Sequence, residues 1–173
     1  FIDPHVHMEL GFMGTVSADD FESGTASGIA GGTTSIIDFC IPAAGTSLLD
    51  GLAAWKQKSA KATSDYSFHM AITRWGEHTA DEMRAVVRDH GITSFKVFMA
   101  YKGAIMVDDH ALYQVMKVAA ETGAVVTVHA ENGDVVWNLQ RELIAKGLTG
   151  PEFHPVSRPS AAEGEATERA LTM

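Results

Sequence analysis

Short apolar, β-branched runs alternate along this chain with longer segments whose apolar positions recur every three or four residues. The runs are FIDPHVH, TTSIIDFCI, YSFHMAI, ITSFKVFMA and AVVTVHA. Their length and β-branched content predict strands. Each is followed by a segment with helical spacing. The first covers Ala18 to Ala30, with Ser17 as N-cap and Gly31-Gly32 as stop. The later ones are SLLDGLAAWKQKSAKA, TADEMRAVVRDH closed by Gly91, DDHALYQVMKVAAET closed by Gly123, and GDVVWNLQRELIAKG. Asp19, Asp20 and Glu22 suit the positive end of the first helix. Strand–helix units in series predict an α/β protein with parallel strands and right-handed crossovers.

A doubly wound sheet and a (β/α)8 barrel both satisfy this pattern. SIIDFCI and AVVTV are nearly continuously apolar, as strands covered on both faces should be. No glycine-rich phosphate loop follows the first run, which weakens the doubly wound option. A full barrel takes ~250 residues, so the units here would form a little over half of one. Both ends read as cut: Phe1 enters directly into strand-like sequence, and EATERALTM stops inside a helical pattern with no stop signal. Residues 1–173 are therefore expected to be the N-terminal part of one incomplete barrel domain.

Composition narrows the partners. The 173 residues are 46% hydrophobic and 20% charged, an ordinary globular balance. A net charge of −9 argues against a nucleic-acid partner, which wants clustered Lys and Arg. No apolar run is long enough to cross a bilayer, and no secretory leader is visible, although the sequence also lacks an initiator Met. The single cysteine, Cys40, excludes an internal disulfide framework and fits a reducing, cytoplasmic compartment; it reads as a small buried hydrophobe.

Candidate chemistry concentrates at strand ends. In HVH, residues i and i+2 of a strand put His5 and His7 on one face, with Asp3 deeper along it. Two neutral imidazoles so placed can grip a divalent cation, at the strand end where barrel enzymes keep their active sites. His129 ends the fifth run, an equivalent position; alone it would read as a core histidine. Lys96 lies between Phe95 and Val97 in a strand that should exclude charge. It is either a lysine snorkelling from an edge or a buried amine, neutral through desolvation, able to take up CO₂ as an anionic carbamate that bridges two metals. Asp38 reads as a site-lining or a structural carboxylate. His69, His78, His90 and His110 have no evident partners and read as structural.

The combination of FIDPHVH, GFMGTVSADDFESGT, GGTTSIIDF, SFKVFMAYKG, VHAENGD and GLTGPE followed by SRP resembles the dihydropyrimidinase/D-hydantoinase family of the amidohydrolase superfamily, over essentially the whole chain. The resemblance implies a TIM barrel and metal-dependent hydrolysis of cyclic amides at a binuclear, usually zinc, centre. His5 and His7 would bind the more buried metal, carboxylated Lys96 would bridge, and His129 would bind the second metal. Tyr101 would hydrogen-bond the substrate carbonyl and stabilise the oxyanion, while Leu10, Phe12 and Phe98 would form an apolar gate facing the ring substituent. Gly11 stands where proline is common in relatives, which implies a looser gate. A further His and an Asp of the family's centre come from later strands than this chain contains. His154 resembles a loop histidine that is not a ligand.

The reaction so implied is attack of a metal-bridging hydroxide on the ring amide of a dihydropyrimidine or hydantoin, giving an N-carbamoyl amino acid. A small cyclic ureide would be the partner, and a homotetramer the assembly. Two alternatives share the motifs. The collapsin response mediator proteins resemble the same family but have lost the metal-binding residues and act through protein contacts; this chain keeps both histidines of HVH and the lysine of SFKVF. Allantoinase and dihydroorotase share the metal logic, but do not usually show FMGTVSADDFESGT or VHAENGD.

Overall fold

In the computed structural model, which describes residues 1–12 and 14–173, the chain begins with β1 (Ile2–Val6). A small antiparallel hairpin follows, β2 (Gly11–Phe12) against β3 (Thr15–Val16), and leads to α1 (Phe21–Ala30). The strand–helix alternation then runs β4 (Ser35–Cys40), α2 (Leu48–Ser59), β5 (Asp65–Ala71), α3 (Thr79–His90), β6 (Ser94–Phe98), α4 (Asp109–Thr122), β7 (Val125–His129) and α5 (Gly133–Ala145). Two 3₁₀ turns, Pro151–Phe153 and Pro155–Ser157, connect to α6 (Ser160–Thr172).

The five longer strands form one sheet in the order β1-β4-β5-β6-β7, every neighbouring pair parallel. Each strand therefore lies beside the next one the chain makes in that sheet. This is the arc of a (β/α)8 barrel, with helices on its outer side. The pairing register sets Phe39 beside His69, Ala71 beside Lys96, and Phe98 beside His129.

The helices start and stop where local chemistry dictates. Ser47, Asp108 and Asn132 cap α2, α4 and α5 with side-chain oxygens that accept from Asp50, Ala111 and Val135 N–H groups. Gly91 and Gly123 close α3 and α4 at φ +67° and +70°, where a β-carbon would be strained. The first helix begins later than its periodicity predicts. Asp20, not Ser17, is the N-cap, in a reciprocal capping box with Ser23. Ser17 Oγ instead accepts from Leu10 N–H at 2.9 Å, joining the two arms of the hairpin.

Side-chain alternation divides the sheet into two faces. Ile36, Cys40, Phe68, Met70, Phe95 and Val97 point outward and are buried against Leu52, Trp55, Met83, Val86, Leu112 and Val115 of the helices. Full burial of each such side chain stabilises by about 1.5–3 kcal/mol, so this outer layer holds the fold together. The inner face carries His5, Phe39, His69, Lys96, Phe98 and His129. Barrel interiors are usually filled with branched aliphatics, and this one is built for something else.

Candidate active site

His5 and His7 share the inner face of the first strand's end, as their spacing predicts. Their rings are 5.3 Å apart and nearly perpendicular, and both pack on Phe39, at 4.4 and 4.9 Å. Asp3 accepts from the His5 backbone N–H at 3.1 Å. Burial holds the pKa of both imidazoles below the ordinary histidine value, helped at His5 by Lys96 and His69 and at His7 by His5 and Lys96. Both are thereby kept as neutral bases with a lone pair to offer.

The turn after HVH is fastened from outside. Asp38 Oδ2 accepts from Met8 N–H at 2.7 Å, and Asp38 Oδ1 from the Trp55 indole at 3.2 Å. Glu9 sits in the left-handed region at φ +51°, with its carbonyl bonded by Lys58 and its carboxylate paired with Lys61 at 2.8 Å. Asp38 thus supports the site from the outer layer and does not line it. Burial raises its pKa to about 6, against the hydrogen bonds from Met8 and Trp55.

Lys96 is buried, 7% exposed, on the inner face of β6. Its Nζ lies 5.4 Å from the Phe39 ring centre and 5.3 Å from that of Phe98, and it pairs with no acidic group among the described residues. Desolvation alone lowers its pKa. The snorkelling alternative fails, because the amine is turned inward between two aromatic rings. Phe39 also touches His69, at 4.7 Å. His69 was expected to lack partners but has two: Nδ1 meets Ser94 Oγ at 2.5 Å, and Nε2 meets the Pro4 carbonyl at 2.8 Å. It ties β1 and β6 to β5 beneath the other imidazoles.

A second group surrounds His129. Its ring centre is 5.0 Å from Tyr101 and 6.1 Å from Phe98, and Tyr101 is 5.4 Å from Phe12. Tyr101 follows β6 with a left-handed backbone, φ +68°, a conformation that costs a non-glycine residue of order 1–3 kcal/mol and clusters at functional sites. Burial, and then the charge of Glu131, raise the phenol's pKa and keep it a proton donor. Leu10 and Phe12 line a groove with Ile41, Trp55 and Ile105 beneath the hairpin.

Two residues of this group were not anticipated. Glu131 Oε2 meets His129 Nε2 at 2.5 Å, and Glu131 Oε1 meets Arg158 Nε at 3.2 Å. A carboxylate two residues beyond a candidate ligand was visible in VHAEN, whereas Arg158 had no local signal. The remaining histidines stand elsewhere: His78 at the start of α3, His90 against Lys56 at 3.1 Å, His110 in the first turn of α4, and His154 between the 3₁₀ turns. Cys40 is fully buried in the outer layer, its thiol pushed up to about 12 by burial.

Among the described residues, no three of His, Cys, Asp and Glu converge closely enough to hold a metal ion. His5 and His7 stand on one side and His129 on the other, with the Lys96 amine over the rings that touch each. The donor set suits a divalent cation if Lys96 supplies the missing oxygens, as a carbamate would.

The Amidohydrolase family profile matches residues 1–149. The dihydropyrimidinase of Dictyostelium discoideum is 51% identical over 99% of this chain and 34% of its own length, and the D-hydantoinase of Geobacillus stearothermophilus 48% identical over 99% and 37%. The crystal structure of the dihydropyrimidinase from Brevibacillus agri superposes with a TM-score of 0.96 at 48% identity, covering 99% of this chain and 37% of that one. The chain thus spans about a third of the length of the curated relatives it matches.

Proposed function

Because the chain belongs to the amidohydrolase family, with dihydropyrimidinases and D-hydantoinases as relatives over nearly its whole length, we propose that the full-length protein hydrolyses the cyclic amide of dihydropyrimidines or hydantoins to N-carbamoyl amino acids. The observation that carries the reading is the Lys96 amine, buried without an acidic partner among the described residues and set between the two groups of imidazoles. Desolvation favours its neutral form, the form that adds to CO₂: the nitrogen lone pair forms the N–C bond, one C=O π pair moves onto oxygen as the negative charge, and the displaced N–H proton leaves to solvent. The product is an anion with two oxygens at a side chain that, unmodified, carries none.

His5 and His7 would hold one divalent cation, zinc by resemblance, His129 the other, and the Lys96 carbamate both. Bound there, the pair would supply Lewis acidity and an acidified water at neutral pH. The chain's own residues do the rest. Phe39 and Phe98 exclude water from the lysine. Tyr101 donates its phenolic proton in a hydrogen bond to the substrate carbonyl as negative charge develops there, from a position its strained backbone holds fixed. Leu10, Phe12 and Phe98 present apolar surface to the ring substituent. By resemblance the working protein would be a homotetramer, and its single cysteine fits a reducing, cytoplasmic compartment. Against the scaffold alternative, both histidines of HVH and the lysine of SFKVF, which the scaffold proteins have lost, are retained here.

The test is hydrolysis of dihydrouracil and hydantoin by the full-length protein and its Lys96→Ala variant. Loss of a residue that merely supports metal ligands costs ~10–100-fold, so removal of the bridging group is expected to lower kcat/KM by more than ~100-fold and to release metal. A variant as active as its parent defeats the proposal.

A further inference from the structure

We propose that Glu131 is a positioning residue for His129, turning its ring so that Nδ1 faces the cation, and that Arg158 holds Glu131 to that task. The inference deepens the metal-dependent reading above and rests on it. His129, Glu131 and Arg158 form a line of imidazole, carboxylate and guanidinium, with contacts of 2.5 and 3.2 Å and side chains only 29%, 16% and 18% exposed.

A carboxylate only accepts hydrogen bonds. Facing Glu131, Nε2 of His129 therefore carries the proton, and the free lone pair is on Nδ1. A carboxylate behind a ligating imidazole fixes its orientation and raises its basicity. Left alone, Glu131 would compete for the cation with its own hard oxygens. Arg158 occupies the second oxygen and keeps the carboxylate turned away. Arg158 is itself fixed at the end of the second 3₁₀ turn, where Nη1 donates to Ser157 Oγ at 3.2 Å and Ser157 is buried. The backbone beside Glu131 is equally tied: Asn132 N–H donates to the Ala162 carbonyl at 3.0 Å and Gly133 N–H to the Met99 carbonyl at 3.1 Å. The line therefore joins the end of β7 to a segment that the chain adds only after α5.

The full-length protein, stripped of metal, is titrated with Co²⁺ while the visible absorption reports the ligand geometry. Wild type is compared with Glu131→Gln, Arg158→Ala and Arg158→Lys, and with Arg84→Ala, which breaks an exposed ion pair to Glu121. Glu131→Gln is expected to bind the second Co²⁺ ~10–100-fold more weakly, with a changed absorption band and an unchanged first ion. Arg158→Ala shifts both readouts in the same direction, and Arg158→Lys restores most of the loss. Unchanged binding and absorption in Glu131→Gln overturn the inference while leaving metal-dependent hydrolysis intact, as does an equal loss in Arg84→Ala. Should Glu131→Gln fail to fold, unchanged Co²⁺ binding by Arg158→Ala overturns it. A wild-type protein that takes up no Co²⁺ overturns the parent reading and this one together.

Discussion

Two opposing forces act on Asp38: burial favours its neutral form, while hydrogen bonds from Met8 and Trp55 favour the anion, and burial wins. Its folded pKa of about 6 lies above the 3.8 of an ordinary aspartate, so the folded state binds this proton more tightly than the unfolded chain. The associated stability is fully present below about pH 4 and is lost as pH rises through about 6, a difference of roughly 3 kcal/mol. Wild type should therefore gain thermal stability relative to Asp38→Asn when both full-length proteins are moved from pH 7 to pH 4.5. Parallel pH profiles for the two would contradict this. Polar residues that interrupt apolar runs were the legible ones: His5, His7, Lys96 and His129 all fall on the inner face where alternation puts them. Asp38 was ambiguous because its side of the strand depends on a register the sequence does not print. The partners of His69, and the link from Glu131 to Arg158, depend on contacts between distant segments, for which one sequence carries no periodic mark.

Elements closed by glycine or marked by strong amphipathicity were readable nearly to the residue, as α3 and α4 show. The β2–β3 hairpin was not, because strands of two residues each are too short to display a period. The start of α1 was misplaced because Ser17 and Asp20 are both good caps, and only the reciprocal bond with Ser23 decides between them. The junction of β6 with α5 is tighter than either element suggests. A β-carbon at Gly133 would lie 2.6 Å from the Met99 carbonyl oxygen and 3.1 Å from Ala100 Cα, backbone that cannot move aside without carrying Tyr101 with it. Gly133→Ala should cost about 1–3 kcal/mol, as overpacking does, and, on the proposed function, lower kcat through displacement of the phenol. Full activity with an unshifted melting temperature would show that the junction yields freely.

At the scale of this chain, β1 and β7 each have a partner on one side only among the described residues, and Ile2 and Val125 on them are 68% and 62% exposed. Such edges template pairing with other chains. The 173-residue polypeptide, produced by itself, is expected to self-associate and to retain less than one metal ion per chain, checked by light scattering and metal analysis. A monodisperse monomer carrying two ions would refute this. The strand order has a consequence for synthesis. Since every strand of the sheet lies beside its predecessor, a ribosome delivering the chain from its first residue can let the barrel grow one stave at a time, without waiting for a distant mate. The paired imidazoles emerge first, the amine follows, and His129 comes later still, with Arg158 last to arrive. On the proposed metal-dependent reading, the histidines of the first cation are therefore in place well before His129 and the guanidinium that steadies Glu131 have left the exit tunnel.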